Sequence, residues 1–263
     1  MDISIAVPLY NEEESISLLH NKINKTMLKL GMTYEIIYVN DGSSDQTGVT
    51  LDQIASSNRN VCVLHLRRNF GQTSAMMASI QHTVGDIVVT LDGDLQNDPA
   101  DIPRLVNKIK EGYDVVSGWR KDRKEGVIRR WPSRIANWLV SRITGVELHD
   151  YGCTLKAYQG DMLRKIRLYG EMHRFIPIYA MQIGADITEL IVKHNPRKYG
   201  KSKYGIGRTP RVVLDIIVLR FLSKAMDRPI QFFGRSGIYS IMLSLVFGIY
   251  AIYIKFYEGV DFI

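Results

Sequence analysis

The chain has 263 residues, which is long enough to bury a substantial core and too short for several domains of ordinary size. With 46% hydrophobic and 23% charged residues, its composition is that of a folded protein and excludes an intrinsically disordered one. The net charge is +7, and the two widely separated cysteines, Cys62 and Cys153, indicate reduced structural thiols in a cytosolic setting. The N-terminus has no basic segment before its first apolar run, so we expect no secretory signal peptide.

Strands and helices are predicted to alternate over the first half of the chain. Apolar runs rich in β-formers predict the strands, and apolar residues at three-to-four spacing predict the helices. The predicted strands cover residues 3–9, 34–45 (with its turn), 61–69, 86–91 and 113–120, and the predicted helices cover residues 12–30, 47–57, 71–85 and 99–112. This alternation indicates right-handed βαβ units and a mostly parallel sheet.

Polar clusters follow the predicted strands, at the sheet edge where parallel sheets bind ligands. They are Tyr10-Asn11-Glu12, Asp41, Arg67-Arg68-Asn69 and residues 92–96. The Asp-Gly-Asp at 92–94 has two interpretations, a strand-ending turn or a site where carboxylates hold a divalent metal and a diphosphate. Asp41 suits a base or ribose hydroxyl, or an Asx-turn before a helix. The acids from Glu12 onward also suit the first turn of a helix.

The last third of the chain is basic and then strongly apolar. Residues 194–208 form a basic, glycine-containing segment, and residues 209–229 have the pattern of an amphipathic helix. Residues 236–254 carry no charge over about 19 positions, enough to cross most of a bilayer core of roughly 30 Å; a buried core helix is the alternative. The basic residues before this segment predict a cytoplasmic N-terminal domain by the positive-inside rule.

Taken together, four clusters resemble glycosyltransferase family 2, which has the GT-A fold. The matching stretches are Pro8-Leu9-Tyr10-Asn11-Glu12 and residues 39–45, 68–72 and 92–96, and the resemblance covers about residues 1–230. "SGWRK", "PSRIAN", "DYGCTLKAY" and "RKYGKSKYG" are similar to the polyprenyl-phosphate hexose synthases, the dolichol-phosphate mannose synthase and bacterial GtrB type. The processive synthases carry Gln-x-x-Arg-Trp, and Val127 stands here in place of the glutamine, which argues against that branch.

The resemblance implies a role for each matching residue. The residues implied to hold the nucleotide sugar are Pro8, Tyr10, Asn11, Glu12, Val39, Asp41, Asp92, Arg120, Arg134 and Lys203. Asp94 and Gln96 are implied to bind Mg²⁺ or Mn²⁺ on the diphosphate. The residues implied to take part in catalysis are Asp92, Asp94, Asp150 and Arg120.

Several of these residues have a second interpretation. Arg120 and Arg134 suit phosphate oxygens, because a guanidinium fork matches them, but both also belong to a basic region that a solvated face would explain. Lys203 could equally lie near anionic lipid. Asp150 is expected near the acceptor. A lipid phosphate with a second pKa near 6 is largely ionised at pH 7 and needs no strong general base, and a lone histidine such as His173 is usually structural.

The implied architecture is an α/β protein with a GT-A nucleotide-sugar-binding domain over residues 1–208. An interfacial amphipathic helix over 209–229 and a transmembrane helix over 236–254 follow. The expected activity is metal-dependent, inverting transfer of a hexose to a polyprenyl phosphate at the cytoplasmic face of the inner membrane. UDP-glucose and undecaprenyl phosphate are the first choices.

Three other functions stay open at this point: a mannose synthase that uses GDP-mannose, a family-2 transferase with another glycan or lipid acceptor, and a non-catalytic nucleotide-binding adaptor. We expect membrane association and no nucleic-acid partner, and the sequence leaves a homo-oligomer open. Members of this branch typically have two membrane spans after the catalytic domain. Only one is visible in this sequence, so we expect that the second is missing.

Overall fold

The computed structural model describes residues 1–121, 140–142, 145–168, 172–199 and 229–258. The chain divides into two compact units, Met1–Val212 and Val213–Ile263, and each is described by itself. The predicted amphipathic helix at 209–229, apart from its last residue, lies outside the described residues, as do Arg134 and Lys203.

The described part of the first unit contains one seven-stranded sheet in the order β3-β2-β1-β4-β6-β5-β7. Its strands are β1 (Ile3–Leu9), β2 (Tyr34–Asn40), β3 (Val61–His65), β4 (Ile87–Thr90), β5 (Val115–Trp119), β6 (Lys156–Gln159) and β7 (Ile187–Ile191). β6 runs antiparallel to its neighbours β4 and β5, and the other pairs are parallel. The prediction of a mostly parallel α/β sheet is therefore confirmed.

Helices cover both faces of this sheet. They are α1 (Ile16–Leu30), α2 (Thr47–Ser57), α3 (Gln72–Gln81), α4 (Ile102–Lys110), α5 (Gly160–Lys165) and α6 (Ile176–Gln182). Single 3₁₀ turns at Pro99–Asp101 and Met172–Phe175 precede α4 and α6.

The core is layered because side chains alternate across each strand. On one face, every second residue of β1 joins the main cluster with the buried faces of α1, α2 and α4. On the other face, Ile37 and Val39 of β2 pack against Ala75 of α3. Ile36 and Tyr38, the alternate residues of the same strand, belong to the main cluster.

Several predicted boundaries are wrong by a few residues. The predicted helix at 12–30 begins only at Ile16, because the preceding backbone is bound to the next loop: Glu12 N donates to Thr47 Oγ1 at 2.8 Å. The strand at 61–69 ends at 65, the strand at 86–91 covers 87–90, and the strand at 113–120 covers 115–119. The helix at 71–85 covers 72–81, and the helix at 99–112 divides into a 3₁₀ turn and α4.

In the described part of the second unit, α7 (Pro229–Tyr253) continues into a π-helical turn at Ile254–Glu258. Phe233–Tyr257 is long and apolar enough to cross a membrane, judged by length and composition. Its large apolar side chains, among them Ile238, Leu243 and Phe247, are exposed rather than packed in a core. This exposure disfavours the alternative of a buried core helix.

We expect Gly85→Ala to destabilise the first unit more than Gly31→Ala. A Cβ at position 85 would lie 2.5 Å from Ser4 N and 2.7 Å from Ile3 C, backbone atoms of β1 that cannot turn aside. We expect a loss of about 3 kcal/mol in the free energy of unfolding. Gly31 has φ +68° and open space around it, so alanine there should cost only about 1 kcal/mol. Urea unfolding in detergent measures both, and equal losses would contradict the close approach at Gly85.

Candidate active site

Loops that follow β1, β2 and β4 converge at one edge of the sheet. These three strands are parallel neighbours, so their carboxyl ends point the same way. The backbone pairing continues just past the strands, where Asp41 N donates to Leu9 O at 2.8 Å and Leu91 N donates to Ala6 O at 3.1 Å. The predicted polar clusters at 10–12, 41 and 92–96 are therefore neighbours in space.

The first two loops are cross-linked by their own polar groups. Asn11 lies in the left-handed region with φ 49°, and its N–H donates to Ser43 Oγ at 2.9 Å. In return, Asn11 Oδ1 accepts from Ser44 N at 2.9 Å. Tyr10 and Glu12 are partly buried beside this link. The reciprocal bonds fix the shape of the edge to which a nucleoside is predicted to bind.

Asp41 is buried and acts as a backbone acceptor. Its two carboxylate oxygens accept from Phe70 N at 2.8 Å and Gly71 N at 2.9 Å, which fastens the loop before α3. Burial raises the pKa of Asp41, and the two backbone bonds oppose that rise. Asp45 accepts from Thr47 N at 3.0 Å, as an Asx-turn before a helix requires. The contact of Asp41 with a nucleoside stays a prediction.

Two residues predicted to hold the nucleoside lie inside the strands. Pro8 is buried in β1 opposite Val39 of β2. The side chain of Val39 packs into the cluster beneath α3, so we expect any contact of this residue with a nucleoside to come from its main chain.

The acid pair follows β4. Asp92 Oδ1 accepts from Gln72 Nε2 at 2.8 Å. Burial and the nearby charge of Asp94 raise the pKa of Asp92 to about 6, against the opposing effect of Thr154 and of the Arg120 and Arg174 charges. A cation between the two carboxylates would reduce their repulsion and stabilise their charged forms.

The loop that carries the two acids has an unusual backbone. Leu95 is buried and has φ 61°, which is uncommon for a residue with a branched side chain. A Cβ at Gly93 would lie 2.2 Å from Leu9 Cδ2, so any larger residue there would force the buried Leu9 side chain to shift. Asp94 Oδ1 accepts from Gln96 N at 3.1 Å inside the turn. The strain is held by the surrounding packing.

Arg197 is a member of the site that the sequence analysis did not single out. Its Nη2 lies 3.2 Å from Asp94 Oδ2 and 3.6 Å from Glu12 Oε1. The segment before it is attached to the acid loop, because Asn195 N donates to Gln96 O at 2.8 Å and Asn97 forms an antiparallel bridge with His194. No sequence spacing could have paired residues so distant along the chain.

Arg120 and Asp150 form a buried, two-pronged ion pair. Arg120 Nε donates to Asp150 Oδ2 at 2.7 Å and Nη2 donates to Oδ1 at 3.1 Å, and the two side chains are 14% and 4% exposed. Burial opposes the charge of Arg120, but the hydrogen bond and charge of Asp150 outweigh it and raise the pKa of the guanidinium. Asp150 therefore orients Arg120.

Lys156, in β6, ties together two segments beside this pair. Its Nζ donates to Tyr151 O at 3.0 Å and to Arg174 O at 3.3 Å, and burial lowers its pKa to about 8. His173 Nδ1 lies 2.7 Å from Thr73 Oγ1 of α3, which supports the structural interpretation of this histidine. The turn at Met172–Phe175 is thus fixed from two sides.

The residues present fit a metal that arrives with a phosphate ligand. In the described ranges, no group of three or more His, Cys, Asp or Glu side chains could hold a metal alone. Asp94 and Gln96 supply one carboxylate and one amide. Mg²⁺ is usually held by one or two carboxylates together with substrate phosphates and water, which matches this set. We therefore keep Asp94 and Gln96 as the predicted metal ligands.

A sequence profile of glycosyl transferase family 2 matches residues 4–175. The chain is 41% identical over 266 residues to the dodecaprenyl-phosphate galacturonate synthase of Rhizobium johnstonii, covering 99% of this chain and 79% of the relative. It is 38% identical to the undecaprenyl-phosphate 4-deoxy-4-formamido-L-arabinose transferase of Pseudomonas fluorescens, covering 98% of this chain and 75% of the relative.

Solved structures share the fold at low sequence identity. Glucosyl-3-phosphoglycerate synthase from Mycobacterium tuberculosis, in complex with Mn²⁺, UDP and phosphoglyceric acid, matches with a TM-score of 0.66 and 20% identity, covering 83% of this chain and 78% of that one. Its complex with Mg²⁺ and UDP matches with the same TM-score, covering 83% and 79%. These likenesses confirm the GT-A-like fold class.

We expect the Arg120–Asp150 pair to show strong coupling in a double-mutant cycle. Arg120→Met or Asp150→Leu alone leaves one buried charge without its partner, which should cost about 3–5 kcal/mol of unfolding free energy. The double variant should cost much less than the sum, because an apolar pair leaves no unpaired charge. Urea unfolding in detergent measures all four proteins. Additive losses would show that the two side chains do not stabilise each other.

We also expect Lys156 to make stability depend on pH. The folded protein releases the Lys156 proton near pH 8, whereas the unfolded chain holds it to about 10.5. Between these values the unfolded state binds the extra proton, so rising pH favours the folded state by up to about 3 kcal/mol. Lys156→Met should lack this rise. Parallel stability curves of the two proteins from pH 7.5 to 10.5 would contradict a lowered pKa.

Proposed function

The chain belongs to glycosyltransferase family 2, and on that premise we propose that it transfers a sugar from a nucleotide sugar to a polyprenyl phosphate at a membrane. Both relatives named above act on a polyprenyl phosphate, and the similarity extends over nearly this whole chain. The exposed apolar helix α7 suits a protein whose acceptor is a membrane lipid.

The observation that carries the proposal is the acid pair that follows β4 together with an arginine that follows β5 and is held by Asp150. β4 and β5 both run antiparallel to β6, so Asp92 and Arg120 follow strands that end at the same edge of the sheet. A nucleotide sugar brings a diphosphate and a polyprenyl phosphate brings a second anion. The site supplies carboxylates for a metal on one side and a fixed guanidinium on the other. A nucleotide-binding adaptor would need no such arrangement.

We propose a single in-line displacement that inverts the anomeric centre. An oxygen of the lipid phosphate forms the new bond to the anomeric carbon as the bond to the diphosphate breaks. The phosphate is largely ionised at pH 7, so the residues need only orient it. Mg²⁺ or Mn²⁺ at Asp94 and Gln96 would neutralise charge on the leaving diphosphate.

Each residue of the site would then have a separate role. Asp92, held by Gln72, would contact the donor sugar. Arg120, oriented by Asp150, would bind phosphate oxygens through its fork. The loops around Tyr10 and Asp41 would bind the nucleoside. Arg134 and Lys203 keep their predicted phosphate contacts as part of this proposal.

For the donor we propose a UDP-linked hexose, with UDP-glucose as the preference from the sequence. The relatives are named for galacturonate and for a formamido-arabinose, which makes a UDP-linked uronic acid a second candidate. GDP-mannose remains the alternative.

We further propose that the catalytic domain ends near residue 208 and faces the cytoplasm. Basic residues before α7 far outnumber Lys255 near its end, and basic residues stay on the cytoplasmic side. The helix would anchor the enzyme in the inner membrane. The amphipathic stretch at 209–229 would lie at the membrane interface.

The test is transfer to a short-chain polyprenyl phosphate by the purified protein in detergent. The donors are UDP-glucose, UDP-galacturonate and GDP-mannose, each with Mn²⁺ and with a chelator. We expect Asp94→Asn to lower transfer by about a hundredfold or more, since it removes the charged metal ligand. Asp98→Asn should behave like the original protein, because Asp98 accepts from Ala100 N at a turn that asparagine also caps.

Full transfer in the presence of chelator would remove the metal from the proposal. Failure to turn over any donor, with nucleotide binding intact, would favour the adaptor instead. Transfer to a glycan or another lipid, but not to a polyprenyl phosphate, would keep the family and change the acceptor.

A further inference from the structure

We propose that Arg197 is an internal counter-ion that holds Asp94 while no metal is bound. It moves to the donor diphosphate when metal and nucleotide sugar bind together. The proposal rests on the metal-dependent transfer proposed above. It adds a binding residue to that reaction and a coupling between the binding of the metal and of the nucleotide.

The contacts place one cation between two acids. Arg197 Nη2 lies 3.2 Å from Asp94 Oδ2 and 3.6 Å from Glu12 Oε1. The Arg197 side chain is 21% exposed and each acid is 12% exposed. The attraction between partly buried charges is stronger than that between fully exposed ones. Arg197 therefore offsets a repulsion between Glu12 and Asp94 that the fold creates by bringing two loops together.

A metal at Asp94 would compete with Arg197 for the same atom. Asp94 Oδ1 already accepts from Gln96 N, and Oδ2 is the oxygen paired with Arg197. A divalent ion bound to the same carboxylate would also repel the guanidinium, because both are positively charged. Metal binding without another anion would thus remove the contact of Arg197 with Asp94 and leave a divalent charge beside the guanidinium.

The donor diphosphate supplies an anion in place of Asp94. A diphosphate bound by metal at Asp94 necessarily lies next to that carboxylate. A planar guanidinium binds two phosphate oxygens at once, so the displaced side chain gains a partner at least as good as the one it loses. The diphosphate offsets the loss of the Arg197–Asp94 contact that metal binding causes, and the metal frees Arg197 to bind the diphosphate. Each ligand therefore raises the affinity for the other, which is positive coupling.

The backbone around Arg197 favours a side-chain exchange over a movement of the whole segment. Asn195 N donates to Gln96 O at 2.8 Å, and Asn97 and His194 form a bridge. These bonds join the segment to the acid loop itself. Arg197 therefore stays within reach of whatever Asp94 binds.

The test is a titration of the full chain in detergent with Mn²⁺, followed by electron paramagnetic resonance of the unbound ion, with and without UDP. For the original protein we expect UDP to tighten Mn²⁺ binding by about tenfold or more. For Arg197→Gln we expect Mn²⁺ alone to bind about tenfold more tightly, and the effect of UDP to shrink. Lys193→Gln is the matched control, since Lys193 lies on the same segment but pairs with Asp98.

Arg197→Lys covers the case in which the glutamine variant does not fold. It keeps the charge and loses the fork, so Mn²⁺ alone should bind as in the original protein while UDP tightens it less. Unchanged or weaker binding of Mn²⁺ to Arg197→Gln, with UDP coupling intact, would overturn the role of Arg197 and leave the proposed transfer standing. No Mn²⁺ binding to any variant, even with UDP, would overturn both the inference and the metal dependence.

Discussion

Repulsion between carboxylates at the carboxyl edge of the sheet is the constraint on which the site depends. Glu12, Asp92 and Asp94 reach this edge on two loops that the parallel strands force together. Burial is the largest cause of the raised pKa of Asp92, and the charge of Asp94 adds to the rise. Arg197 places its guanidinium next to Glu12 and Asp94, and the charges of Arg120 and Arg174 act on Asp92. A metal-bound diphosphate would bring a further cation to these carboxylates.

The antiparallel strand β6 supplies the other half of the site. It enters between β4 and β5 and brings the loop with Asp150 beside Arg120, which follows β5. Lys156 opens this strand and fixes the carbonyl groups of Tyr151 and Arg174. A buried ammonium is costly unless it is hydrogen-bonded, so these bonds hold two loops in one arrangement. The half of the site around Arg120 and Asp150 therefore depends on β6, whereas the half around Asp41 and Asp92 depends on loops that follow parallel strands.

The sequence predicted the parallel half of the fold because apolar runs and helical spacings lie within short segments of the chain. β1 and α2 have the predicted bounds, and Asp41, Asp92 and Asp94 converge as expected for strand ends. β6 gave no such signal, because it has only four residues, Lys156–Gln159, and begins with a lysine and ends with a glutamine. The pairing of Arg197 with Asp94 is a tertiary contact that no periodicity encodes. Arg120 stays a predicted site residue, and its ion pair with Asp150 could be found only in the structure.

The two arginines of the site differ in a way that suits different tasks. Arg120 is held by two short bonds, at 2.7 and 3.1 Å, to a carboxylate that is almost fully buried. Arg197 is shared between two acids at 3.2 and 3.6 Å and is more exposed. A group that must be in place before the substrate arrives gains from the first arrangement, because no reorganisation is left for the reaction step. A group that must exchange one anion for another is better served by the second arrangement, because its contacts are longer than those of Arg120.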